Sequence, residues 1–238
     1  MLIKEFMSPN VVTVDPESSI VRANKILKEK GIRRLCVVKE DRLVGIVTDS
    51  DIKHATPSKT TTPSVGQIVY ILSKGRIKDI MTKDPITVGA GMALDDAALI
   101  MLENRISSLP VMENNRLIGI ITESDIFKAL VMLTGVHQGG IKFGFEVPDK
   151  PGSIKEVTDT IRSYGGRIVS ILTSYENAKS SFRNVYIRAK GITATRVKSL
   201  KENLQHKFGV LYVKEPEKEE RSPEKREACS FIFFGYNA

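Results

Sequence analysis

The chain has 238 residues but only two cysteines, three histidines and no tryptophan. Cys36 and Cys229 stand far apart in unlike contexts, which argues against a disulfide framework and against a thiolate metal site. His54, His137 and His206 follow no ligand spacing, so no metal site is expected. No apolar stretch approaches the roughly 18 residues that a membrane-spanning helix needs. The opening MLIKEFMSPN lacks an apolar run followed by a small-residue cleavage site, so no secretion signal is read and a cytoplasmic location is expected. There is no G-x-S-x-G elbow, no P-loop lysine motif and no H-E-x-x-H. No catalytic residue is assigned, and the chain is read as non-enzymatic and free of a cofactor.

What is present fits a globular chain long enough for two domains, with 41% hydrophobic and 27% charged residues. The net charge of +8 raises the question of a nucleic-acid partner. Its distribution is +5 over residues 1–76, −3 over 77–134 and +7 over 135–213. There is no dense basic run, little aromatic interleaving and no helix-turn-helix or aromatic RNA motif. A solvated surface with local anion sites accounts for the charge better than a nucleic-acid face. A basic nucleic-acid-binding regulator is therefore the alternative reading. Neither a membrane nor nucleic acid is an expected partner.

The chain contains a duplication. Residues 4–53 align with 78–127 at a constant offset of 74 without a gap, and 18 of the 50 pairs are identical. Met7/Met81, Thr13/Thr87, Ala23/Ala97 and Ile32/Ile106 are among them, and RLVGIVTDSDI against RLIGIITESDI is the densest stretch. Each copy reads as a short strand, a helix over about 18–30 or 93–104, two strands around a polar turn, and a second short helix capped by Thr48 or Ser50. Gly31 closes the first helix as a left-handed terminator.

At the junction of strand and second helix, Thr48, Ser50 and Asp51 recur as Thr122, Ser124 and Asp125. Backbone N–H groups at such a junction favour an anion, and an aspartate can accept bonds from both hydroxyls of a ribose. Capping accounts for one such residue per helix, not for three repeated in both copies. Arg33, Arg34 and Lys53 can clamp a phosphate, although Arg34 reads better as solvent-facing. In the second copy Ser107 and Ser108 replace the arginines. Cys36, where the second copy has Pro110, reads as a small buried hydrophobe and not as a nucleophile.

The order Met…Thr-Val, helix, Gly-Ile-x-x-Leu-x-Val, then Gly-Ile-Val-Thr-x-Ser-Asp resembles the CBS repeat. The resemblance implies that two repeats pair pseudo-symmetrically. It also implies that residues at the places of Thr48, Ser50, Asp51, Thr122, Ser124 and Asp125 bind the ribose and phosphates of an adenosine nucleotide. Ile32 and Ile106 would then flank the base, with Arg33, Lys53 and Ser107 beside them.

Residues 139–214 read as a third unit of βαββαβ order. Strands are expected at 141–147, 167–175, 182–189 and 209–213, with helices over 153–164 and 193–207. Asp-Lys-Pro-Gly-Ser at its first strand-helix turn resembles the ferredoxin-like ACT domain. That resemblance implies an amino acid at Asp149, Gly152 and Ser153, with the carboxylate on backbone amides and the ammonium on Asp149. The CBS–CBS–ACT order resembles the acetoin-utilisation regulatory proteins of bacteria and archaea. The fold class expected is thus mixed α+β and α/β: tandem CBS repeats followed by an ACT-like unit. The implied function is a non-catalytic, homodimeric ligand sensor whose downstream partner is unknown. The expected boundaries are 1–56 and 78–134 for the repeats, with 57–77 as a linker carrying a short helix.

Residues 215–238 begin with a mixed-charge run that has two prolines and no apolar period, and they read as a disordered tail. Such a run cannot bury enough apolar surface to offset its ordering entropy. Truncation after Lys214 is therefore expected to leave the melting temperature unchanged in a thermal denaturation scan. A large drop would show that Phe231–Phe234 dock on the fold.

Overall fold

The computed structural model describes residues 1–55 and 74–216. Most of the linker expected over 57–77, and the tail beyond residue 216, lie outside the described residues. The chain divides into two compact units, Met1–Ala129 and Leu130–Ala238.

The first unit holds both repeats. The first copy runs β1 (Thr13–Val14), α1 (Ile20–Lys30), β2 (Arg34–Lys39), β3 (Arg42–Thr48) and α2 (Asp49–His54). The second copy opens with β4 (Thr82–Lys83) and continues through β5 (Val88–Gly89), α3 (Leu94–Asn104), β6 (Ser108–Glu113), β7 (Arg116–Thr122) and α4 (Glu123–Leu133). β1 pairs parallel with β2, which pairs antiparallel with β3; β5, β6 and β7 repeat this arrangement. Ser19 caps α1 by accepting a bond from the Arg22 amide at 3.2 Å. The first helix of each copy ends on a left-handed residue, Gly31 at φ 62° and Arg105 at φ 54°. Only the first copy uses the residue that adopts this conformation without steric cost.

The repeats are not packed as two independent beads. The Ile3 amide donates to the Met92 carbonyl and the Lys4 amide to Ala90, so the first residues of the chain sit on the second repeat. In the same way Ile77 donates to Ser18 and Lys78 to Pro16, which returns the second leader to the first repeat. Ile3 is fully buried among Leu94, Ala97, Leu109 and Ile121, and Ile77 is fully buried among Ile20, Ala23, Leu35 and Val47. The methionines of the leaders complete the exchange. A Cβ on Gly45 would meet Met81 Sδ at 2.6 Å, and one on Gly119 would meet Met7 Sδ at 2.5 Å. Each glycine is therefore a seat for the other repeat's methionine.

The second unit runs β8 (Ile141–Pro148), α5 (Ser153–Ser163), β9 (Arg167–Ser174), β10 (Phe182–Lys190), α6 (Ala194–Lys207) and β11 (Gly209–Lys214). Its sheet order is β11-β8-β10-β9, antiparallel throughout. The odd-numbered residues Phe143, Phe145, Val185 and Ile187 pack with Val157, Ile161, Leu200 and Leu204, so both helices cover one face.

Large-to-small changes in a closed core cost about 2–5 kcal/mol. Ile3→Ala is expected to fall in that range by denaturant titration. Hydrogen exchange should quicken more in β6 and β7 than in β2 and β3. The reverse order would mean that the first leader stabilises its own repeat.

Candidate functional site

Each repeat presents one open end of its long hairpin, and there the duplicated polar residues meet. Arg34 pairs with Thr48 across β2 and β3, and the Asp49 amide donates to the Arg33 carbonyl at 3.0 Å. Ile32, Arg33, Thr48, Ser50 and Asp51 thus share one corner. Ser108 pairs with Thr122, and the Glu123 amide donates to the Ser107 carbonyl at 3.2 Å, which gathers Ile106, Ser107, Thr122, Ser124 and Asp125 at the equivalent corner. Ile32 and Ile106 are half-buried beside their cores, whereas Ser50 and Ser124 are exposed.

Thr48, not Ser50, caps α2. Asp51 Oδ2 accepts bonds from the Thr48 amide at 2.8 Å and its hydroxyl at 2.7 Å, and the Asp51 amide donates to Thr48 Oγ1 at 3.3 Å. Asp125 Oδ2 holds Thr122 in the same way, at 3.0 and 2.7 Å. One carboxylate oxygen of each aspartate is committed to local structure, which leaves Oδ1 for a second task. The copies part at this atom. Asp125 is buried, and its Oδ1 accepts from Lys128 Nζ at 3.1 Å. Asp51 is half-buried, His54 stands where the second copy has Lys128, and Lys53 pairs with Asp49 at 2.8 Å. That hydrogen bond to Lys53 is the main cause holding the Asp49 carboxyl below its usual range. Lys53 is thereby drawn away from the clamp role assigned to it.

Arg34 does not face solvent. Its guanidinium crosses to the second repeat and donates to the Ser107 carbonyl. Burial pulls its pKa down from the ordinary value, and Glu123, followed by Asp125 and Asp49, opposes that fall. The second corner therefore borrows a cation from the first repeat. The reciprocal position is Ser108, so the first corner receives none. Arg33 remains exposed. Sequence spacing could not assign Arg34, because the contact arises from how the repeats face one another. A cavity of about 370 Å³ lies at the hairpin-turn end of the first repeat, lined by Thr13, Asp15, Ser18, Arg22, Glu40 and Asp41 among others, and includes none of the corner residues.

In the second unit, Gly152 precedes α5 with φ 93°, and Ser153 is buried with its hydroxyl unpartnered. Asp149 is not free to meet an ammonium group, because Arg183 of β10 forms an ion pair with it. Arg183 also lies 5.6 Å from the centre of the Tyr175 ring. Among the described residues, no three His, Cys, Asp or Glu side chains are grouped to hold a metal, and no helix is long and apolar enough to cross a membrane.

Comparison with known proteins places this geometry in a family. The CBS domain pattern matches residues 3–58 and 77–132. A CBS domain-containing protein of Dictyostelium discoideum is 32% identical over 133 residues, a match covering 55% of this chain and 92% of that protein. The chain belongs to the CBS-domain family and carries a tandem pair. Inosine-5′-monophosphate dehydrogenase of Korarchaeum cryptofilum is 39% identical over 127 residues, or 52% of this chain and 23% of the enzyme. The chain spans between about a fifth and a half of the length of the first curated relatives it matches. A crystal structure of a CBS domain pair in complex with 5′-methylthioadenosine and S-adenosyl-L-methionine is 32% identical, covering 55% of this chain and 95% of that one with a TM-score of 0.46.

Cys36 lies fully buried in β2 beside the corner, and burial pushes its thiol up to about 12. An unfolded thiol ionises near pH ~8.5. The folded chain therefore favours the neutral form, and this stabilisation is complete below about 8.5 and lost as pH rises toward the folded value. In a Cys229→Ser background, a thiol reagent at pH 8 is expected to leave the folded chain unmodified. Cys36→Val should flatten the fall in melting temperature above pH 9.

Proposed function

We propose that the chain is a non-catalytic regulatory sensor whose CBS pair binds an adenine nucleotide. The observation that carries this reading is the pair of facing corners. Each offers an aspartate with one oxygen beyond its capping duty, a threonine and a serine hydroxyl, and a half-buried isoleucine, and Arg34 joins one corner to the other. An aspartate oxygen suits a ribose hydroxyl, an isoleucine suits the flat face of a base, and Arg33 and Arg34 suit phosphate. The two sites differ in kind. The first has the less encumbered aspartate and the exposed Arg33, while the second has the buried Asp125, paired with a part-exposed Lys128, and the inserted Arg34. The first corner is the better ribose site. A ligand touching both corners favours one arrangement of the repeats only by as much as its affinity differs between arrangements.

The second unit is read as an ACT-type regulatory domain, from its βαββαβ order and the Asp-Lys-Pro-Gly-Ser turn. That reading likens residues 1–213 to acetoin-utilisation regulators. An amino-acid ligand there must compete with Arg183 for Asp149, which makes it the weaker half of the proposal. A cytoplasmic homodimer fits an asymmetry between the repeats. Leu99, Leu102 and Phe127 are exposed at 53, 75 and 64% in the second repeat, where the first has Lys25, Lys28 and Lys53. Such apolar exposure commonly marks a surface that pairs.

Calorimetry with AMP, ADP and ATP tests the nucleotide reading. Asp51→Asn keeps one acceptor for the Thr48 cap but loses the charge and one ribose acceptor. It is expected to weaken binding about 10- to 100-fold, the equivalent of ~1.5–3 kcal/mol, with little change in melting temperature. Asp125→Asn should weaken binding less. Unchanged affinity in both variants would make the duplicated corners a scaffold only.

A further inference from the structure

The helices of the second unit cover one face of its sheet, and the strand register sets two adjoining rows of side chains on the other. The first row is basic. Lys142 of β8 stands opposite Arg188 of β10 on one side and Lys214 of β11 on the other. The second row lies two residues along the strands, about 7 Å away. In it Gly144 stands opposite both Tyr186 and Tyr212. The two rings lie with centroids 6.4 Å apart and planes within 22° of parallel. Gly144 makes the seat, because a Cβ there would come within 2.5 Å of the Tyr212 ring. Lys214 Nζ is 6.0 Å from the centre of that ring, which ties the two rows together.

The fold uses Arg188, which is buried and bonded to the Thr134 carbonyl, but among the described residues it leaves the two lysines of the basic row without acidic partners. Like charges directly opposite one another destabilise a sheet, and Lys142 has one on each side. Among the described residues, no carboxylate is paired with Lys142 or Lys214. The nearest acid of the same face, Glu146 in the following row, is held by Lys179 at 2.6 Å. Arg188 is already partly spent, its Nε donating to the Thr134 carbonyl at 2.7 Å. Neither tyrosine belongs to the core beneath the helices, and Tyr212 is 36% exposed. A row of cations beside a row of aromatic faces suits a ligand that alternates anionic and flat groups. A second copy of this chain would bring cations against cations.

We propose that this open sheet face binds single-stranded nucleic acid, with bases stacking on Tyr186 and Tyr212 and backbone phosphates lying along Lys214 and Lys142. Stacking on aromatic side chains within a basic track is how strands are held without sequence readout, and a four-stranded sheet is a suitable platform. A mononucleotide meets one ring and one cation, whereas a strand engages both rows at once. The site is separate from the corners of the repeats.

Fluorescence anisotropy of a labelled twelve-nucleotide oligouridylate with the full chain tests the proposal. Binding is expected at 50 mM salt and should weaken with a logarithmic salt slope of about −1.4, the value for two neutralised phosphates of a single strand. Tyr186→Ala and Tyr212→Ala should each weaken it about fivefold or more, while Tyr186→Phe, which keeps the stacking face, should retain it. Lys142→Gln should weaken binding and flatten the salt slope while leaving or raising the melting temperature, since it removes like-charge contacts. If the alanine variants fail to fold, the Phe and Gln variants decide. No binding at 50 mM salt overturns the proposal, as does indifference of binding to the tyrosine and Lys142 changes. It is also overturned if inorganic polyphosphate or uridine monophosphate binds as tightly as the strand, or if excess AMP displaces the strand competitively.

Discussion

The first unit depends on a reciprocal exchange. Met7 fills the space left by Gly119, Met81 fills the space left by Gly45, and Ile3 and Ile77 complete cores that are not their own. Burying an isoleucine stabilises a fold by about 1.5–3 kcal/mol, so two such insertions are large against the usual margin of domain stability. Because each repeat lacks a piece of its core until the other arrives, neither is a self-sufficient bead. The exchange also holds the hairpin ends of the repeats in fixed opposition. In that arrangement Arg34 reaches the Ser107 carbonyl.

The role proposed for the corner aspartates rests on a division between their two oxygens. One oxygen of Asp51 or Asp125 closes the turn into the following helix, and that commitment orients the other oxygen. A carboxylate held in this way loses little freedom when a ligand hydroxyl arrives, which is the physical advantage of a preorganised acceptor. The same economy explains why capping and binding are hard to separate in the sequence, since both call for Thr, Ser and Asp at a helix start. The copies then diverge around the shared frame. Lys128 occupies the second oxygen of Asp125, while Lys53 bonds Asp49 and not Asp51. Duplicated backbones thus carry unlike electrostatics.

Divergence falls mostly on exposed positions. Leu35/Leu109, Val37/Val111 and Ala23/Ala97 are identical and fully buried or nearly so, whereas Lys25/Leu99, Lys28/Leu102 and Lys53/Phe127 change character on the surface. Packing constrains the former, because a methylene too many or too few is felt in a close-packed interior. The latter answer to fewer neighbours, although Lys25 and Lys53 make surface ion pairs with Glu29 and Asp49.

Local structure was legible in the sequence because it depends on short-range periodicity. The gapless offset exposed the repeat, the helical spacing of Ile20, Ala23 and Leu27 marked α1, and the alternation through Phe143, Phe145 and Val147 marked β8. The corner residues were legible for the same reason, since Thr48, Ser50 and Asp51 are neighbours in the chain. Other contacts needed the tertiary structure. The leaders read as the start of their own repeats, and their exchange rests on shape matches between residues more than 30 positions apart. Arg34 read as a solvent group because its partner is 73 residues away. Asp149 read as a free anion because Arg183 reaches it only through the pairing of β8 with β10. Tyr186 and Tyr212 lie far apart in the chain, and it is register across Gly144 that sets them side by side. Chain-local chemistry is written in order along the sequence, whereas the partners of a charge or a ring are chosen by packing that no local pattern records.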